Sequence, residues 1–177
     1  MQNSRTWIAA LIDAITFTAL AVAQPKPLSP PGQTKLTFAD GKTVIIDYSR
    51  PSMRNRKIFG GLVPYDQVWR TGANAATSLK TDVALKIGGT NIPAGSYTIY
   101  TLPGMNSWQL IINKQTGQWG TKYDENQDLA RIPMKVTQRP AGLELFTISL
   151  DKTSGDSAVL KIEWENTIAS VDVSEKK

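Results

Sequence analysis

The chain has 177 residues, 41% of them apolar, and a formal charge of +5; this is one domain of ordinary size with enough apolar sequence for its own core. It contains no cysteine and no histidine. That excludes a disulfide framework, a lipid-bearing cysteine, Ser-His-Asp and Cys-His catalysis, and imidazole-ligated metal sites.

Residues 1–24 read as an export signal. Arg5 supplies a sparse positive start, Trp7 to Val22 a mostly apolar stretch, and Ala21-Val22-Ala23 a small-residue cleavage site before Gln24. Asp13 interrupts the run, leaving too little for the roughly 20 apolar residues of a membrane span. A cleaved signal is therefore favoured over an uncleaved anchor, with a periplasmic or secreted location. No later segment could cross a bilayer. Arg5 and Asp13 cancel, so the remainder keeps the +5.

Residues 25–32, PKPLSPPG, read as an extended Pro-rich linker. From there the pattern is nearly all β. Leu36–Ala39, Asp40-Gly41 and Lys42–Tyr48 read as a two-residue hairpin of type I′, in which both central residues need positive φ. Val83–Ile87, Gly88-Gly89 and Thr90–Ile92 form a second hairpin. Gly95–Leu102 and Trp108–Asn113 are strands around the turn cluster Pro103–Asn106. Ile132, Met134 and Val136 mark another strand. Phe146, Ile148 and Leu150, then Ala158, Leu160, Ile162 and Trp164, alternate with polar or outward positions at period 2. Val171–Val173 ends the series, and 174–177 is a charged tail. Nine or ten short strands without a convincing helix predict an all-β fold. The architecture expected is a single antiparallel β-sandwich, jelly-roll-like, over 33–173, with a long ordered loop at about 50–76.

That loop is the richest segment. Residues 50–72 carry five cations (Arg50, Arg54, Arg56, Lys57, Arg70) and one anion, Asp66. Loops this long are functional or disordered, and the Trp, Tyr, Phe and Ile content argues for order. A single helical turn is allowed near Tyr65–Trp69. The local positive field favours anionic ligands or surfaces; with no recognised motif, nucleic acid is not expected. The candidate ligand site comprises Asp47, Tyr48, Arg50, Trp69, Arg70 and Asn74. Arg50 and Arg70 would offer bidentate donors, Tyr48 and Trp69 apolar walls, and Asn74 an amide. The competing reading is an arginine buried in the loop, paired with Asp47 or Glu163 and holding irregular backbone carbonyls together. Arg54, Arg56 and Lys57 read first as solvated loop charge, and second as an attraction for anions or membrane surfaces.

Other motifs are weaker. Trp164 is in phase with the core. Trp119, in a polar loop, is either a sugar-stacking platform or, by preference, tucked against the sheet edge. Asp124, Asn126 and Asp128 open like a calcium loop, but Leu129 replaces its glycine and Lys135 its bidentate glutamate. No metal or other cofactor is expected. Asp47, Glu163 and Glu165 could furnish a carboxylate pair for glycoside hydrolysis only if the fold brings them together.

Four blocks carry a family resemblance: Asp47 to Thr77, Ile87 to Gly104, Ile112 to Gly120 and Leu160 to Thr167. Together they resemble the bacterial domain-of-unknown-function family 2911 over about residues 33–173. The resemblance implies an exported bacterial protein with one β-rich domain, and no activity, substrate or catalytic residue. The function expected from the sequence is a binding module for a small anionic or saccharide ligand. The alternatives are a structural or envelope-interaction protein and, behind it, a carboxylate-dependent hydrolase. The sequence leaves the oligomeric state open.

Overall fold

A computed structural model describes residues 28–177; the expected export signal and residues 25–27 of the expected linker lie outside the described residues. Nine strands follow in chain order: β1 (Pro31–Thr37), β2 (Thr43–Ser49), β3 (Thr77–Thr81), β4 (Leu85–Ile87), β5 (Thr90–Ile92), β6 (Gly95–Pro103), β7 (Trp108–Asn113), β8 (Asp128–Ser154) and β9 (Ser157–Glu175). One 3₁₀ turn, Glu125–Gln127, is the helical element among the described residues. The strands form one antiparallel sheet in the order β1-β2-β3-β6-β7-β8-β9-β4-β5, not closed into a barrel. No helix of the described residues is long and apolar enough to cross a membrane.

The sheet folds over on itself, so that its two halves pack face to face as a sandwich. Val44 and Ile46 of β2, Leu79 of β3 and Leu110 of β7 meet Leu85 of β4, Leu150 of β8 and Leu160 of β9 in one apolar cluster. Period 2 explains the split. Val44, Ile46 and Tyr48 are buried while Ile45 and Asp47 face outward, and Phe146, Ile148 and Leu150 repeat the pattern on β8. Each fully buried large apolar side chain contributes about 1.5–3 kcal/mol, so a one-residue slip would be severely destabilising. β6 is buried along both faces, because the segment after β7 lies across it. Thr98 donates to the Gln115 carbonyl (2.7 Å) and Tyr100 to that of Lys122 (3.3 Å).

The structure corrects four expectations. The Asp40-Gly41 hairpin is not type I′: Gly41 alone has positive φ (+85°), and the Gly41 N–H bonds to the Phe38 carbonyl (3.1 Å). That is a three-residue loop closed by a glycine bulge. The two-residue turn with both residues at positive φ is Gly88-Gly89 (52° and 87°). No helical turn forms at Tyr65–Trp69; Asp66 takes φ 57° there. The segments read as separate strands at 132–136 and 146–151 are one strand, as are 158–165 and 171–173. β1 also opens inside the expected linker, and β9 runs into the expected tail.

β8 and β9 stay paired through a large bulge. From Gln138↔Thr167 to Thr147↔Glu163, β8 advances nine residues while β9 moves four. Glu165 takes φ 52° at the bend. Beyond the bulge β7 no longer flanks β8, which leaves an edge at Phe146–Leu150 whose backbone groups need partners. They come from the far end of the sheet, at every second residue. The Phe146 N–H bonds to Pro51 O (3.0 Å), and Arg50 Nε donates to Phe146 O (3.1 Å). The Tyr48 hydroxyl donates to Ile148 O (3.1 Å) and accepts from the Ile148 N–H (3.0 Å). The Leu150 N–H bonds to Thr34 Oγ1 (3.2 Å). The gap that would close a barrel is thus stitched mainly by side chains.

Candidate functional site

The 50–76 segment is an ordered feature tied to the sheet at several points. Near its start, Ser52 bridges to Leu145 and the Met53 N–H bonds to the Glu144 carbonyl (2.8 Å). The β8 bulge frees these groups from β9. Next, the Glu165 carboxylate faces the N–H groups of Ile58 and Phe59, both at 3.4 Å. Further on, Trp69 exchanges backbone hydrogen bonds with Thr101 of β6 (2.8 and 3.0 Å). Ile58, Phe59 and Val63 are buried, so the loop carries its own apolar anchors.

Trp69 is the largest of these contacts. Its ring lies 6.0 Å from Trp164 in a stacked arrangement and meets Phe59 (6.0 Å) and Phe146 (5.2 Å) edge-on. Trp108 and Tyr48 extend the cluster through Phe59 and Phe146. Such pairs contribute about 0.5–1.5 kcal/mol each beyond area burial. Trp164 is core, as its strand phase predicts, and Trp108 is buried as well; Trp69 ties the loop to that core.

A strained corner follows. Thr71, fully buried, has φ 54°, which is unfavourable for a β-branched residue. It is held by Thr71 Oγ1 against Thr101 Oγ1 (3.0 Å) and by Thr77 Oγ1, which donates to the Thr71 carbonyl (2.7 Å). Gly72 continues at φ 148°, and a Cβ there would sit 2.9 Å from the Ser49 carbonyl. This corner carries Arg70 over Gly120. A Cβ on Gly120 would fall 2.5 Å from Arg70 Cδ and 2.8 Å from the Asn74 carbonyl, so only glycine lets the side chain through.

Arg70 borders two recesses. One, about 340 Å³, has Leu62, Val68, Trp69, Tyr100 and Tyr123 among its walls, with Gly120 and Thr121 on one side. The other, about 280 Å³, collects Arg54, Arg56, Arg70, Ser52 and Asn74. Among the described residues, no Asp or Glu lines either. Arg70 makes one hydrogen bond to the protein, from Nε to Gly72 O at 3.3 Å. Among the described residues, none of the five cations from Arg50 to Arg70 forms an ion pair with a carboxylate. The acidic pairing of the competing reading is therefore not made, since Glu163 pairs with Arg139 and Asp47 accepts from Gln33 Nε2 (2.7 Å); its other half holds, as Arg50, Arg56 and Arg70 all donate to backbone carbonyls.

The tyrosines of the larger cleft are polar but engaged. Tyr123 donates to Asp128 Oδ2 (2.6 Å) and accepts from Arg131 (2.9 Å). Burial, reinforced by the hydrogen bond to the Asp128 carboxylate, pushes the Tyr123 hydroxyl well above the usual phenol range. Burial also raises Tyr100, whose hydroxyl accepts from Gln118 Nε2 (3.1 Å). The two rings meet edge-on at 4.8 Å, so both present neutral ring surface to the cleft.

The six residues named from sequence do not converge on one point. Trp69 and Arg70 share the larger cleft, and Arg70 and Asn74 the smaller recess. Tyr48 and Arg50 belong to the stitched edge of β8. Asp47 is exposed and borders a separate shallow hollow with Tyr48. The three acids weighed for hydrolysis are dispersed: Asp47 on Gln33, Glu163 on Arg139, Glu165 on the loop amides. The calcium-like run is structural too, since Asp124 caps the 3₁₀ turn and Asp128 holds Arg131 and Asn113. Trp119 is 54% exposed rather than tucked against the sheet.

A family model described as a protein of unknown function, DUF2911, matches residues 29–173. The chain belongs to this family. The match spans β1 to nearly the end of β9, and with them both recesses. Comparison with curated proteins and with solved structures finds no match. Leu62, Val63, Val68, Tyr100, Gly120, Thr121 and Tyr123 are the cleft residues of this DUF2911 chain that the sequence pattern did not single out. Tyr100 reads as an ordinary strand residue, and Tyr123 stands just before the calcium-like run, outside its pattern. The one available signal was Gly120, whose glycine is required by a close approach rather than by a turn.

Proposed function

We propose that this chain is an exported binding module for a small anionic or hydroxyl-rich ligand, seated in the cleft between Trp69-Arg70 and Tyr100-Tyr123. The observation that carries the reading is Arg70. It lines a cleft of about 340 Å³ and, among the described residues, spends one guanidinium donor on the protein and shares the cleft with no Asp or Glu. Recesses that hold small molecules are of about this size or larger, mostly apolar, with a few fixed polar groups. Leu62, Val68 and the aromatic rings supply the apolar part. Trp119 does not line the cleft, but it is exposed and adjoins the cleft residue Gly120 in sequence, so an aromatic face on which a saccharide ring can stack lies one residue from the cleft wall. A hydrolase reading would need a carboxylate in this cleft, and its walls contain none.

The experiment is a thermal-shift screen of the full chain at constant ionic strength, using monocarboxylates, sugar acids and neutral sugars, against Arg70→Gln. A ligand that binds the native state raises Tm by mass action. The result expected is a shift in the parent protein that Arg70→Gln abolishes. No shift from any class, or equal shifts in both proteins, overturns the proposal.

A further inference from the structure

We infer that the smaller recess is a second, separate site, and that it takes a multiply charged phosphate-type oxyanion. Arg54, Arg56 and Arg70 line a volume of about 280 Å³, with Ser52 and Asn74 as neutral hydrogen-bonding neighbours and, among the described residues, no carboxylate in the lining. The inference does not rest on the cleft reading; the two sites share only Arg70.

The arginines are positioned without being neutralised. Arg56 donates from Nε to Met53 O (3.0 Å) and from Nη2 to Ser52 O (2.7 Å). Arg54 Nη2 reaches Leu28 O at 3.4 Å, and Arg70 Nε reaches Gly72 O. All of these acceptors are carbonyls, so the charges are held in place and remain uncompensated. Glu144 is the acid tied to this part of the loop, but it accepts the backbone N–H of Arg54 (2.9 Å) and does not line the recess. The backbone contributes as well. Arg54 and Asn55 are consecutive residues in the left-handed region (φ 50° and 57°), a costly arrangement that the surrounding loop holds in place.

Each guanidinium keeps donors in the planar fork that fits phosphate oxygens. Three such groups suit a dianion or trianion far better than a monocarboxylate, because the attraction grows with ligand charge while the site geometry stays fixed. A free phosphate compound and a phosphate-bearing lipid headgroup would satisfy this chemistry equally.

The test is calorimetric titration of the full chain with inorganic pyrophosphate, inorganic phosphate and acetate at about 150 mM salt, where diffuse surface attraction is largely screened. Pyrophosphate is expected to bind about tenfold or more tighter than acetate, with phosphate between them, and Arg56→Gln is expected to weaken pyrophosphate about tenfold. Arg56 is exposed, so this variant should keep the parent Tm; Arg54→Gln gives the same reading if it does not. A cleft ligand found in the screen above should bind Arg56→Gln normally, which separates the fate of the two proposals. Sedimentation with vesicles containing about 20 mol % phosphatidic acid assigns the source. Binding that pyrophosphate competes away supports a headgroup, and absence of vesicle binding alongside pyrophosphate binding supports a soluble phosphate. Pyrophosphate no tighter than acetate, or undiminished in Arg56→Gln, overturns the inference.

Discussion

Two arginines of the same loop should differ sharply when truncated. Arg50 donates from Nε to the Phe146 carbonyl at 3.1 Å and from Nη2 to Thr147 Oγ1 at 3.0 Å. Its stem lies against Gly32, where a Cβ would come within 2.7 Å of Arg50 Cδ. Hydrogen bonds from a charged donor contribute about 1.5–3 kcal/mol each. Partial exposure of Arg50 allows water to replace part of that, so Arg50→Ala should lose about 3 kcal/mol. Arg70 has a single 3.3 Å bond to Gly72 O and no ion pair, which supports a loss of at most about 1 kcal/mol. The assay is equilibrium urea unfolding of the full chain and both variants, followed by tryptophan fluorescence. With an m-value of about 2 kcal/mol/M, the midpoint should fall by about 1.5 M for Arg50→Ala and by less than about 0.5 M for Arg70→Ala. Equal losses, or a loss of about 3 kcal/mol for Arg70→Ala, would refute the assignment of Arg50 to the fold and of Arg70 to a ligand.

Tyr48→Phe removes the hydroxyl that serves both the N–H and the carbonyl of Ile148; leaving these buried groups unpaired should cost about 2 kcal/mol in the same urea assay. Gly120→Ala places a methyl against Arg70 Cδ and the Asn74 carbonyl. It should destabilise by about 1–3 kcal/mol and abolish any ligand shift that depends on Arg70, read by thermal shift. Because the Tyr123 phenol ionises above its unfolded value, the native state holds that proton more tightly. Its stabilisation is complete below the ordinary phenol range and is lost as pH rises from about 10. Unfolding free energy measured from pH 8 to 11.5 should therefore fall less steeply in Tyr123→Phe than in the parent; parallel slopes would sink this assignment.

Sequence pattern revealed the sheet wherever burial is carried by apolar side chains. Phe146, Ile148 and Leu150 opposite Ala158, Leu160 and Ile162 are legible from alternation alone. β3 escaped notice because its inward positions include Thr77 and Thr81, buried threonines whose hydroxyls bond to the Thr71 and Val83 carbonyls. The unity of β8 was equally hidden. Its Gln138–Thr147 bulge breaks the period-2 register, and nothing local shows that pairing with β9 resumes afterwards. The long loop was legible as ordered and cationic. The division of labour within it was not, since Arg50 and Tyr48 find their partners 96 and 100 residues away. Arg70 was picked out for its chemistry; the glycine that makes room for it lies in another loop.

The stitched edge of β8 also bears on how the polypeptide matures as it leaves the ribosome. Thr34, Tyr48 and Arg50 are made early, whereas the amides and carbonyls they serve at Phe146, Ile148 and Leu150 emerge about a hundred residues later. Closing so long a loop precedes any reward from the contacts it brings together. Until then the cationic loop can pair with β6 through Trp69 and Thr101, but its start has nowhere to dock, because the Glu144–Phe146 backbone and the Glu165 carboxylate do not yet exist. The smaller recess, whose Ser52 bridges to Leu145, is consequently a late product of synthesis: a chain truncated before β8 would carry Arg54, Arg56 and Arg70 and lack the strand on which their loop docks.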